Sequence, residues 1–192
     1  MKHKFYLPRS KNKILVAAVI GAIGLILAQF SDYNLASITP HQGILEGEVI
    51  KVYDGDTITL RAQGKQHKIR LYGLDAPEIA QSFGKESREY LLGLCPLQAK
   101  AQVKIKDSDK YGRIVGIVLC PDTKPKNPAS KSTNKNYIDV NAALVKHGYA
   151  WAYEDYTKAY VPLELYARVH KLGLWAQSNP IRPSVYRRQS KQ

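Results

Sequence analysis

Residues 54–78 read DGDTITLRAQGKQHKIRLYGLDAPE. Asp54, Asp56, Asp75 and Glu78 stand at the two ends of this stretch, with Arg70 between them. Thr57–Leu60 is β-branched and alternating. A glycine-containing turn falls at Ala62–Gln66, and the run HKIRLYG supplies a second strand, so the stretch predicts a β-hairpin. A hairpin returns its far end to its starting point, which sets Asp56 and Asp75 side by side. Carboxylates that converge beside an arginine repel one another unless a cation offsets their charge, so the stretch is a candidate metal site.

Upstream, Ile44–Tyr53 (ILEGEVIKVY) alternates and predicts a further strand, joined to the hairpin through the DGD turn. Downstream, Ser82–Leu94 predicts a first helix, with Tyr90, Leu91 and Leu94 on one face and Lys85, Glu86 and Arg88 facing water. Pro96 closes it. Gln102–Lys106 and Arg113–Leu119 predict a second hairpin with SDKYG at its tip, Val103 and Ile105 facing the core. Asp139–His147 predicts a second helix, with Asp139 as N-cap and Gly148 as stop. Val161–Trp175 predicts a third, with Leu165, Val169 and Leu172 on its apolar face. The tail NPIRPSVYRRQSKQ is basic, punctuated by prolines and expected to be irregular. Strands, helix, strands, then helices predicts a mainly β, α+β domain: a five-stranded closed barrel of the OB type with three helices, whose face commonly binds oligonucleotides or oligosaccharides.

The chain has 192 residues and a formal net charge of +13. Lys2, Lys4, Arg9, Lys11 and Lys13 precede an uninterrupted apolar run, Ile14–Ala28, and no acid does. A basic leader followed by an apolar run predicts export through a secretory signal or a short signal anchor within residues 1–30, both forms standing open. Membrane anchoring would run through residues 14–30. Residues 31–43 read as a linker, 44–176 as the folded domain and 177–192 as a basic tail. Beyond residue 30 the chain keeps 24 basic against 16 acidic residues, a surplus that suits a polyanionic partner, nucleic acid or anionic lipid. Pro121–Asn136 is a basic, Pro-, Ser- and Asn-rich loop by composition. Cys95 and Cys120 are an even pair in an exported chain, and the second hairpin brings them near one another, so a disulfide is possible beside the alternative of two separate thiols. No CxxC is present, and His3, His41, His67, His147 and His170 lack ligand spacing, which argues against a zinc site.

The chemistry follows from the residue types. Asp56 and Asp75 are the best pair of oxygen ligands for a hard cation. Pro77 stiffens the turn that carries Glu78, so Glu78 can stand near the cation and take a proton from water. Arg70, on the polar side of its strand, can clamp phosphate oxygens, and Arg113 can supply a second guanidinium. Together these suffice for attack of water on a phosphodiester. Each feature also has a plain structural reading: a capped turn at DGD, a surface ion pair for Arg70, an ordinary hairpin tip at DKYGR. Their joint occurrence on one fold weighs against that reading. Asp54 reads as a turn residue rather than a ligand.

The run DGDTITL, nine residues, then RLYGLDAPE resembles the signature of the staphylococcal nuclease (thermonuclease) family, and DKYGR (Asp109–Arg113) resembles its second motif. VNAALVKHGYA (Val140–Ala150) and GLW (Gly173–Trp175) fit its helical half. The resemblance covers roughly Ile44–Trp175. It implies an OB-type barrel with three helices and Ca²⁺-dependent cleavage of DNA and RNA at the 5′-side P–O bond, leaving 3′-phosphate ends. It also implies metal ligation by Asp56, Asp75 and the Ala76 carbonyl, a general base at Glu78, phosphate-binding arginines at Arg70 and Arg113, and contacts to a terminal phosphate from Lys110 and Tyr111. Tyr153 and Tyr156 are both candidates for the base-stacking tyrosine. The chain departs from the family's reference member in having Ala76 where that member has threonine, in a short loop after Glu78, and in the Pro121–Asn136 insertion. Three readings follow: an exported Ca²⁺-dependent nuclease, a non-catalytic nucleic-acid-binding OB module, or an anchored envelope protein whose basic body binds lipid. The last leaves the acid–arginine constellation unexplained.

Overall fold

A computed structural model describes residues 43–122 and 136–190. The leader and apolar run, the linker except Gly43, and most of the Pro121–Asn136 insertion lie outside the described residues. No helix among the described residues is long and apolar enough to cross a membrane.

The hairpin at the centre of the sequence forms as β2 (Thr57–Ala62) and β3 (Lys65–Leu71), in a register that sets Thr57 opposite Arg70. Its turn is Gln63–Gly64, both at positive φ, 52° and 73°. A two-residue loop with left-handed backbone at both positions matches the right-handed twist of the flanking strands. Ahead of it lies β1 (Ile44–Val52), antiparallel to β2. A short β4 (Leu74–Asp75) follows β3, then α1 (Gly84–Leu94), and then the second hairpin, β5 (Lys100–Ser108) and β6 (Ile114–Pro121).

The strand order is β3-β2-β1-β5-β6, and a parallel pairing of β3 with β6 closes the ring. Register shifts at Val49/Lys51 and Ile105/Asp107 are the bulges that let the strands curve. Val49, Ile58, Leu60, Ile69, Val103 and Val118 are fully buried and fill the interior. Each such side chain stabilises the fold by about 1.5–3 kcal/mol relative to exposure. Closure needs Gly116 on β6, where a Cβ would collide with the Val103 side chain. Thr57 and Thr59 are also buried, although strand alternation points them away from the apolar interior. Tyr53 covers Thr59, its hydroxyl 3.5 Å from the Thr59 hydroxyl, and Thr57 lies in the floor of the cleft described below.

After the insertion, β7 (Tyr137–Asp139) pairs with β6 and leads into α2 (Val140–Lys146). Asp139 caps α2, its carboxylate accepting from Ala142 N at 2.9 Å. Asn141 is fully buried. Its Oδ1 accepts from Val118 N at 2.9 Å and its Nδ2 donates to Tyr72 O at 2.9 Å, which fastens α2 to the end of β3 and to β6. β8 (Trp151–Ala152) then pairs with β4, Asp75 opposite Trp151. Cys95 and Cys120, both fully buried, are joined as a disulfide.

The C-terminal half departs from expectation in two places. The predicted third helix breaks in two: α3 (Val161–Val169), and a 3₁₀ turn at Gly173–Ala176. Left-handed backbone at Lys171 and Gly173 makes the break. The buried residues of α3 are Glu164 and Ala167, while Leu165 and Val169, expected in the core, are 60% and 70% exposed. Glu164 faces inward because it has work there: Oε2 accepts from Ala152 N at 2.6 Å and Oε1 from Arg168 Nε at 2.8 Å. The tail, expected to be irregular, contains a fourth helix, α4 (Pro183–Gln189), with Pro183 buried at its start. Gln81 Nε2 donates to Ile181 O at 2.6 Å, and the Arg182 guanidinium stacks over the Trp151 ring at 4.7 Å, which ties the tail to the domain.

Candidate active site

Barrel closure brings the far end of the first hairpin beside the tip of the second, and a polar cleft of about 530 Å³ opens between them. That is a usual size for a small-ligand site. Asp56, Arg70, Asp75, Ala76, Glu78, Lys110, Tyr111, Arg113, Tyr153 and Tyr156 all line it, joined by Asp54, Thr57, Asp109 and Arg187.

Asp56 sits in the turn between β1 and β2. Its N–H donates to Asp54 Oδ1 at 3.0 Å, so Asp54 shapes the turn. Oδ1 of Asp56 accepts from the Thr57 hydroxyl at 3.0 Å and Oδ2 from Ala76 N at 2.8 Å, which joins this turn to the loop after β4. Gly55 allows the approach: a Cβ there would collide with Ser87 Oγ and the Ala76 methyl. Asp75 is held on β4 by its pairing with β8. Asp56 and Asp75 are 6% and 5% exposed, so neither is a solvated surface acid.

Arg70 joins the two. Its Nη2 donates to Asp75 Oδ1 at 2.9 Å and to Leu74 O at 3.2 Å. Its Nη1 meets Asp56 Oδ2 as an ionic contact without hydrogen-bond alignment. Burial pushes the Arg70 pKa down, against the Asp75 and Asp54 charges that raise it. Burial also raises the Asp54 pKa, with Arg70 opposing.

Glu78 lies on the turn before α1. Gln81 N donates to its carbonyl at 2.8 Å and Gln81 Oε1 accepts from its N–H at 3.3 Å. The side chain reaches the cleft and is 37% exposed. Arg113, just before β6, is held by the hairpin tip. Asp109 Oδ1 accepts from Tyr111 N at 2.9 Å and Arg113 N at 3.0 Å, and Oδ2 accepts from Arg113 Nε at 2.6 Å. Burial alone would raise the Asp109 pKa, and these bonds outweigh it and hold the pKa below the usual carboxylate range. Tyr111 is 73% exposed, with Lys110 Nζ 5.2 Å from its ring centre. Tyr153 and Tyr156 form an edge-on pair 5.0 Å apart, and Tyr72 extends it, its hydroxyl donating to Tyr156 O at 2.6 Å.

Arg187, from α4, is the cleft residue that sequence reasoning missed. Its Nη1 donates to Glu78 Oε1 at 2.8 Å and Asp75 Oδ1 at 3.1 Å, and its Nη2 to Asp75 Oδ2 at 3.0 Å. Burial alone would lower its pKa, but the hydrogen bonds and charges of Asp75 and Glu78 outweigh that and raise it above the ordinary arginine value. The sequence signal was slight: Pro183 is a helix-start residue, yet nothing distinguishes Arg187 from Arg182 or Arg188 along the chain.

The donor set fits a hard cation. Two buried carboxylates converge from separate elements, and every candidate ligand is an oxygen. Among the described residues no three His, Cys, Asp or Glu side chains are grouped to hold an ion by themselves. Backbone oxygen, water and substrate oxygen would have to complete the shell, as hard cations with few protein ligands commonly require.

Residues 68–177 match the family described as staphylococcal nuclease homologue. The chain belongs to this family. Among the family member's relatives, it is 38% identical over 175 residues to micrococcal nuclease of Shigella flexneri, covering 88% of this chain and 96% of that protein. It is 36% identical over 160 residues to protein ParB of Escherichia coli, covering 81% and 86%. An uncharacterized endonuclease of Haemophilus influenzae is 36% identical over 146 residues, covering 74% and 73%. The matched family region spans β3 to the 3₁₀ turn and so ends before α4 and Arg187.

Proposed function

We propose that this family member is an exported, Ca²⁺-dependent nuclease that hydrolyses DNA and RNA and leaves 3′-phosphate ends. The enzyme is a nuclease of the thermonuclease type, with nucleic acid as substrate. The observation that carries the reading is the convergence of Asp56, Arg70, Asp75, Glu78 and Arg113 on one cleft, beside an open tyrosine pair.

In this reading Asp56, Asp75 and the Ala76 carbonyl hold the cation. The bound cation supplies positive charge against the phosphate oxygens. Glu78 takes a proton from the attacking water, whose oxygen bonds to phosphorus. The bond from phosphorus to the 5′ oxygen breaks, and that oxygen leaves with a proton from surrounding water. Arg70 and Arg113 donate to the non-bridging oxygens as charge grows there. Lys110 and Tyr111 meet a neighbouring phosphate, and Tyr153 or Tyr156 stacks on a base.

Export rests on the basic leader and the apolar run Ile14–Ala28, and membrane anchoring would use residues 14–30. The buried Cys95–Cys120 disulfide supports an oxidising compartment. The mass of the mature N-terminus after cell fractionation separates a cleaved signal from a retained anchor, and an intact chain in the cytosolic fraction counts against export.

The deciding experiment is degradation of plasmid DNA and of RNA across a cation series, wild type beside Glu78→Gln. Activity with Ca²⁺, loss in chelator and a fall of about 10²–10⁴-fold in the variant are expected. Full activity in chelator overturns the metal role. Salt-sensitive binding without cleavage under every cation would make the domain a binding module instead.

A further inference from the structure

Arg187 is placed where it competes with the chemistry just proposed. Both oxygens of Asp75 and one oxygen of Glu78 already accept hydrogen bonds from its guanidinium, at 2.8–3.1 Å. Asp75 Oδ1 accepts from Arg70 as well. An oxygen whose lone pairs point at N–H groups is not free to face a metal ion, and a carboxylate paired to a guanidinium is a poor proton acceptor. The proposed ligand and the proposed base are therefore both engaged by one side chain.

That side chain is on a short, lightly buried helix. α4 has seven residues, no side-chain N-cap, and Pro183 as its single buried residue. A helix this short has little stability of its own. Besides Pro183 and Tyr186, α4 is attached upstream through Ile181 and Arg182. The Arg187 side chain is 42% exposed, against 7% for Asp75. It reaches in from outside the ring of strands.

We infer that Arg187 is a tethered cation occupying the acidic cleft, which a divalent ion must displace, so that α4 sets the metal affinity of the site and withholds Glu78 until the ion is bound. The inference rests on the proposed metal role of Asp75. It names a latch built into the chain: the guanidinium balances the buried acids while the site is idle, and releases them to a small ion of higher charge density.

The test is calorimetric titration of Ca²⁺ into the full chain without nucleic acid, for wild type, Arg187→Ala and Arg188→Ala. Arg188 is the exposed neighbour and controls for loss of one positive charge. Ca²⁺ should bind Arg187→Ala about 10-fold more tightly than wild type, a common size of coupling between competing partners, and Arg188→Ala like wild type. Amide hydrogen exchange of residues 185–190 in the wild type should accelerate at saturating Ca²⁺, a readout that needs no variant. Equal or weaker binding in Arg187→Ala, or unchanged exchange in α4 with Ca²⁺ bound, overturns the latch alone. No Ca²⁺ binding to any of the three proteins overturns the metal reading and the latch together.

Discussion

Arg70 Nη2 donates to Asp75 Oδ1 at 2.9 Å, and with its second bond to Leu74 O at 3.2 Å this ties the end of β3 to β4 across the turn at Gly73. The same guanidinium meets Asp56 from the other side. Arg70 thus serves as the counter-ion that lets two nearly buried carboxylates share one cleft before any substrate arrives.

Arg70→Gln keeps a hydrogen-bonding side chain and removes the charge. Cleavage should fall by about 10²–10³-fold, as for loss of one donor to a developing anion. Breaking a buried ion pair by removing one partner should also destabilise the fold by about 3–5 kcal/mol. Denaturant unfolding with and without Ca²⁺ checks this. Activity within a few-fold of wild type would remove Arg70 from the reaction.

Gly84 opens α1 against the turn that carries Glu78. A Cβ at this position would collide with the Glu78 carbonyl, which is backbone and has nowhere to go. Gly84→Ala should push the Glu78 turn outward and cost about 1–3 kcal/mol. Activity should fall more than stability explains, when measured well below the unfolding midpoint. Unchanged turnover would mean that the position of Glu78 is not critical.

Asn141 is fully buried and links α2 to the ends of β3 and β6. Leucine has similar volume but leaves Val118 N and Tyr72 O without partners, at about 1–3 kcal/mol for each buried orphan. Asn141→Leu should therefore lower the midpoint of denaturant unfolding markedly. A variant as stable as wild type would show that water replaces the amide.

Asp109 organises the second hairpin tip and holds Arg113. Hydrogen bonds from Arg113 and Tyr111 hold its pKa in the fold below 3.8, the ordinary value for an aspartate. A carboxylate with a depressed folded pKa contributes its stability in full above the unfolded value, and loses it as pH falls through the folded value. The amides of Tyr111 and Arg113 should therefore shift in NMR spectra only below pH 3.8, with the tip loosening there. A midpoint at or above that value counts against the hydrogen-bonded tip.

The sequence by itself determined the barrel and most of the cleft. The β2–β3 hairpin was legible because β-branched alternation flanks a turn that tolerates positive φ, and this information is local. The Asp139 cap was legible for the same reason. Only the tertiary structure decided the rest. The inward face of α3 went to Glu164 rather than Leu165 because the N–H of Ala152, on the preceding strand β8, donates to Glu164 Oε2 at 2.6 Å. The meeting of Arg113 with Arg70 in one cleft required the β3–β6 pairing that closes the ring. Arg187 was one arginine among several in a basic tail until Gln81 and Trp151 fixed the path of the chain. The Asp54–Glu78 hairpin sets one guanidinium, Arg70, against its converging acids and leaves room for another counter-charge. The fold supplies one from 109 residues beyond Glu78, because a short-range charge demand can be met by any part of the chain that packing brings within reach.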